Sequence, residues 1–115
     1  MKPGEGADPA TLRDMLEACS DIVAFTQDLS REQFLDNRPR KFAAAFRVAA
    51  LGEAVKRLSA EFRSRHPEIP WHRIAGMRDR LIHGYDNIDY DEVWKTASID
   101  VPVLLEQLRK IQDSQ

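Results

Sequence analysis

Residues 39–64, PRKFAAAFRVAALGEAVKRLSAEFRS, carry the pattern that decides the fold class. No proline follows Pro39 in this run, and its apolar residues recur at helical spacing. They form two stripes: Phe42, Ala45, Phe46 and Ala49 make one, and Val48, Leu51, Val55, Leu58 and Phe62 make the other. The spacing predicts one helix of roughly 40 Å, apolar on two sides and so central to a helical protein. Ala43, Ala44, Ala45, Ala50, Gly52 and Ala54 let neighbouring backbones approach it closely. Both stripes could serve one intramolecular core, or one could face a second subunit. A chain of 115 residues has little material to cover such a helix, which favours the second.

Working outward toward the N-terminus, Asp8 is a helix cap with Pro9 behind it, and Leu12, Met15, Leu16, Cys19, Ile22, Val23 and Thr26 follow at helical spacing. Cys19 lies on that buried stripe and reads as a small core residue rather than a nucleophile. Ser30-Arg31-Glu32-Gln33 has the form of a capping box and opens a short helix through Phe34 and Leu35, ended by Asn37-Arg38-Pro39. Toward the C-terminus, residues 64–69 form a polar turn and Pro70 starts a helix whose apolar side is Trp71, Ile74, Met77, Leu81 and Ile82. Asp89 with Glu92 reads as the cap of a helix bearing Tyr90, Val93, Trp94 and Ala97, in preference to a divalent-ion site. A last helix follows Asp100, with Pro102 in its first turn and Val101, Leu104, Leu105, Leu108 and Ile111 as its core stripe. The expectation is an all-α bundle of about five or six helices. It forms one domain over residues 9–112, with a flexible start at 1–8 and a frayed end at 113–115.

Composition narrows the function classes. A single cysteine excludes an intramolecular disulfide or a cysteine metal cluster, and suits a reducing compartment. The longest apolar runs, 42–46 and 48–51, are far shorter than the ~18 residues of a membrane span, and residues 1–8 do not read as a signal peptide. The expectation is a cytoplasmic protein without a membrane partner. Net charge is only −2, yet residues 56–83 hold seven Lys/Arg against three Asp/Glu, and residues 84–115 hold three against seven. Two solvated faces of opposite sign explain this as well as a basic surface for a phosphate backbone does.

Within the basic part lies Arg78-Asp79-Arg80-Leu81-Ile82-His83-Gly84-Tyr85. An arginine presents a permanently charged fork of donors suited to phosphate, and a histidine can take and give a proton near neutrality. Asp79, four residues before His83, would be its neighbour on a helix and could orient the imidazole. Arg78 and His83, however, would lie about 140° apart around an ideal helix. A site shared across a symmetric dimer would remove that difficulty. Arg78, set in an apolar stripe, could equally snorkel, pair with a buried acid, or line a cleft where the apolar face is left open, and Tyr85 could be a core aromatic. No glycine-rich phosphate loop, His-Glu-x-x-His pair or serine elbow occurs.

Arg78-x4-His83-x-Tyr85, with a polar residue directly after the arginine, resembles the signature of HEPN-superfamily ribonucleases. The flanking text, Leu51-Gly52-Glu53-Ala54-Val55-Lys56-Arg57-Leu58 and His66-Pro67-Glu68-Ile69-Pro70-Trp71, is similar to the HepT-like branch, the toxin half of HepT/MntA-type toxin–antitoxin pairs. One departure is Gly84, where the family commonly has a polar residue. The resemblance implies a dimeric HEPN bundle that cuts RNA with Arg78 and His83 as catalytic residues, supported by Asp79, and with neither metal nor cofactor. It also implies a minimal nucleotidyltransferase antitoxin that transfers AMP to Tyr85, acting on a homodimer or a larger hetero-oligomer. A non-catalytic module that binds RNA or a nucleotide, or docks the partner, is the alternative.

Overall fold

A computed structural model describes residues 5–84 and 86–114. After a 3-10 turn at Glu5–Ala7, α1 spans Asp8–Thr26, α2 Arg31–Asp36, α3 Arg38–Arg57, α4 Ala60–Arg65, α5 Trp71–Ala75 and α6 Met77–Leu81. Two short strands follow, β1 at Ile82–Gly84 and β2 at Asn87–Ile88, and then α7 at Tyr90–Lys95 and α8 at Val101–Asp113. The all-α class therefore holds, apart from the small antiparallel pair that sets Ile82 opposite Ile88 and Gly84 opposite Asn87.

The central helix is shorter than its pattern predicts. It ends at Arg57, Leu58 turns extended, and Ser59 caps α4 by accepting a hydrogen bond from the Phe62 N–H at 3.1 Å. The break is held from a distant part of the chain. Asp8 does not cap α1, whose N-cap is Ala7; its carboxylate accepts the Ser59 N–H at 2.9 Å and the Ser59 hydroxyl at 2.6 Å, and is only 5% exposed. A backbone donor left over at a helix start and a hydroxyl, both buried, are better partners for a carboxylate than a local amide that water can reach. Just beyond, the Trp71 indole N–H donates to the carbonyls of Arg63 and His66, fixing the turn from α4 into α5.

The two apolar stripes of the central run have different fates. Val48, Leu51, Val55, Leu58 and Phe62 are all buried, and α3 packs against α1, α5 and α6. On the other stripe Ala45 is buried, but Phe42 is 45% and Phe46 70% exposed. At the C-terminal side, the two helices expected around Asp100 form one continuous helical run, joined by a widened π turn at Thr96–Asp100 in which the Val101 N–H reaches back to Thr96. Pro102 lacks an N–H and its ring crowds the preceding turn, a strain that a wider turn relieves without ending the helix. Elsewhere Ser30 with Gln33 and Asp89 cap α2 and α7 as their patterns predict, and Asn37, read from the sequence only as the end of α2, also caps α3.

Two predictions arise from these contacts. Asp8→Ala leaves two buried donors at the α3–α4 break unpaired and should lower unfolding free energy by about 1.5–3 kcal/mol, measured by urea titration. Cys19 is fully buried, and burial pushes its thiol up to about 12, with Arg109 opposing. Because the folded state holds this proton more tightly than the unfolded chain, its contribution to stability is complete below about pH 9 and is lost as pH rises toward 12. The native protein at pH 8 should leave a thiol-specific disulfide reagent unreacted until denaturant is added.

Candidate functional site

Gly52 of α3 sets the site. A Cβ there would stand 3.0 Å from the Ile74 carbonyl oxygen and 3.7 Å from the Arg78 backbone nitrogen, so only the missing side chain lets α3 lie against the α5–α6 junction. That junction breaks at Gly76, which ends α5 and begins α6, and the Arg80 guanidinium bridges it by donating to the Arg73 carbonyl at 2.9 Å. Met77 and Leu81 turn into the core, while Arg78 emerges beside α3.

Arg78 lines a groove of about 490 Å³ together with the exposed Phe46, Ala49 and Ala50 of α3 and with acidic residues of α1. Three arginines reach this groove, but they differ in availability. Arg47 is paired with Asp21 at 2.6 Å and Glu17 at 3.7 Å, and Arg57 lies 3.8 Å from Asp14. Arg78 is 45% exposed, and among the described residues its one acidic partner is the neighbouring Asp79, at 3.5 Å and itself 73% exposed. A buried acid partner, one of the structural readings of Arg78, is thus replaced by a weak solvent-facing pair.

The helix carrying the motif stops at Leu81. Ile82 is extended, and the Asp89 N–H closes the base of the hairpin on the Leu81 carbonyl at 2.8 Å. His83 therefore lies on β1, exposed, and the helical separation of about 140° between it and Arg78 does not apply. Instead the Arg78 guanidinium donates to the Ile82 carbonyl at 3.3 Å, reaching the peptide unit directly before His83. The expected one-turn neighbourhood of Asp79 and His83 is not formed for the same reason: among the described residues no hydrogen bond or ion pair joins them, and Asp79 faces Arg78. A Cβ at Gly84 would meet only the Asp86 carboxylate, at 3.9 Å, so the glycine is not demanded by crowding. Tyr85 lies outside the described residues. Among those residues no three His, Cys, Asp or Glu side chains converge as a metal site would require, and no helix is long and apolar enough to cross a membrane.

With this geometry in view, comparison with known proteins is informative. The family model Ribonuclease HepT-like matches residues 15–111. The chain belongs to the HepT-like family. Among its relatives, "Probable ribonuclease HepT" of Thermococcus cleftensis is 41% identical over 102 residues, covering 86% of this chain and 93% of the relative. "Putative RNase MJ1216" of Methanocaldococcus jannaschii is 40% identical over 102 residues, covering 89% and 84%. No solved structure gives a significant match. The matched region of this HepT-like chain takes in α3, the groove residues other than Asp14, and both Arg78 and His83.

Sequence reading offered a cleft at Arg78 as one alternative, but missed which residues of α1 and α3 line it. Its signal was present in the stripe of Phe42, Phe46 and Ala49, but which stripe of α3 stays uncovered depends on how the helices pack. Gly52→Ala should test the close approach: it adds a methyl where the neighbour is rigid backbone, and thermal or urea unfolding should register a loss of about 1–3 kcal/mol. The same change at Gly84, where a Cβ would meet only an ordinary contact at 3.9 Å, should cost much less.

Proposed function

We propose that this HepT-like chain is a metal-independent endoribonuclease, acting through Arg78 and His83, and the toxin of a toxin–antitoxin pair. The observation that carries the reading is the hydrogen bond from Arg78 to the Ile82 carbonyl, which holds a half-exposed guanidinium at the peptide preceding an exposed imidazole. The naming of its relatives as ribonucleases agrees with that pairing of groups.

In this reaction a neutral His83 accepts the ribose 2′-hydroxyl proton as the 2′-oxygen bonds to the adjacent phosphorus. The bond from phosphorus to the 5′-oxygen breaks, and that oxygen leaves with a proton. Arg78 holds the non-bridging oxygens, where negative charge grows. The products are a 2′,3′-cyclic phosphate and a 5′-hydroxyl. One imidazole cannot serve as base and acid in the same step, so the second proton comes from the equivalent histidine of a second copy. The exposed Phe46, set beside Arg78 in one groove, is the surface such a copy would cover. Asp79 biases the guanidinium and, in the assembled cleft, supports the imidazole. Neutralisation follows from AMP transfer to Tyr85 by a nucleotidyltransferase antitoxin, since phosphates added next to the motif would occupy Arg78.

Purified protein incubated with RNA in EDTA should yield cyclic-phosphate ends. Arg78→Ala and His83→Ala, both at exposed positions, should each lower the rate by about 100-fold or more with unchanged circular dichroism. Full cleavage by both variants would overturn the assignment of these residues. RNA retained but uncut by the unaltered protein would favour the non-catalytic module. Co-expression with a nucleotidyltransferase antitoxin should add AMP mass units that Tyr85→Phe abolishes.

A further inference from the structure

At the N-terminal end of α3 a second concavity, about 410 Å³, lies between that helix and the hairpin. Arg38, Lys41 and Phe42 line it from α3, with Asn87 and Ile88 of β2 and Tyr90 of α7 opposite. Its make-up differs from the rest of the surface. Lys41 stands over the Tyr90 ring at 4.6 Å from the centroid and over Phe42 at 5.9 Å, and Arg38 stands over Phe42 at 5.4 Å. The two rings lie 5.9 Å apart, tilted by 37°. No carboxylate among the described residues pairs with Arg38 or Lys41, whereas Arg31, Arg40, Arg47 and Arg57 all have acidic partners. Asp86 is the one acidic group lining the concavity.

Two unpaired cations beside an exposed ring are the recognition elements of single-stranded nucleic acid: the ring stacks a base and the cations hold the phosphates that flank it. Position supports the same ligand. Asn87 pairs with Gly84, one residue along β1 from His83, and Phe42 is one turn of α3 from Phe46 in the Arg78 groove. A strand of RNA crossing Arg78 and His83 would continue along the hairpin into this concavity. An acidic peptide could pair with the cations but would leave the flat face of Phe42 without a matching partner.

We propose that Arg38, Lys41 and Phe42 form a nucleotide subsite for single-stranded RNA, separate from the residues that act on the scissile phosphate. The subsite rests on the ribonuclease reading for its substrate class, yet its own test does not require cleavage. Binding of a labelled single-stranded 2′-O-methyl RNA, which lacks the attacking hydroxyl, is measured by fluorescence anisotropy at several salt concentrations. Phe42→Leu keeps apolar bulk and removes the ring; it should weaken binding about tenfold, and Phe42→Trp should restore it. Arg38→Gln with Lys41→Gln should reduce the slope of log affinity against log salt by about 1.4, two phosphates' worth for a single strand. Oligomeric state is followed by light scattering at the same concentrations. Unchanged affinity and salt slope in all variants would overturn the subsite, even if the unaltered protein cuts RNA, and so would a loss of affinity that merely tracks loss of an oligomer. Weakened binding at constant oligomeric state supports it, even if no cleavage is found.

Discussion

The missing side chain at Gly52 is the constraint on which the working part of this molecule depends. With the Ile74 carbonyl only 3.0 Å from where a Cβ would stand, the backbone of α3 at Gly52 lies directly against the backbone of the α5–α6 junction. That contact brings the start of α6 beside α3, so Arg78, which belongs by spacing to an apolar stripe, emerges at a groove instead of in the core. The second fixed point is Asp8, whose carboxylate ends α3 by supplying partners for Ser59 across fifty-one positions of sequence. Both are tertiary contacts, and each changes what the local pattern would have done.

Charge is distributed with the same selectivity. Net charge near zero offers no global attraction for nucleic acid, and the basic excess over residues 56–83 is partly spent on pairs with α1 and the π turn before α8, such as Arg57 with Asp14 and Arg73 with Asp100. Such exposed pairs add little to stability. Their larger consequence is to silence some cations and leave others available. Arg78 keeps only a weak neighbour, and Arg38 and Lys41 rest on aromatic rings, a contact that leaves their donors free for phosphate oxygens. A local electrostatic feature therefore exists where a sum over the chain, or over a segment, shows none.

The hairpin illustrates why part of the site escaped sequence reading. Residues 82–88 contain only short extended pieces, far below the length at which period-two alternation can be recognised, and Ile82 fits the preceding helical stripe equally well. Only the hydrogen bond from Asp89 to the Leu81 carbonyl, with the pairing of Ile82 and Ile88, makes the chain leave the helix there. The geometric objection to Arg78 and His83 acting together was an objection to an ideal helix, and it fails with that helix. The break in the central run was hidden in the same way, since Leu58 and Phe62 keep helical spacing across it.

By itself, the sequence determined the all-α class, the capped starts of α2 and α7, the buried stripe running through Val48, Leu51 and Val55, and the chemical kinds of group placed between Arg78 and Tyr85. These follow from periodicity and from hydrogen bonds only three residues long, both of which are local. Tertiary structure alone decided where the helices stop, which stripe of α3 stays exposed, which arginines are neutralised, and that His83 sits on a strand whose preceding carbonyl, Ile82, accepts from Arg78. Those outcomes depend on Gly52, Asp8 and Asp89 meeting groups on other elements. Contacts of that kind have no period for a sequence to reveal.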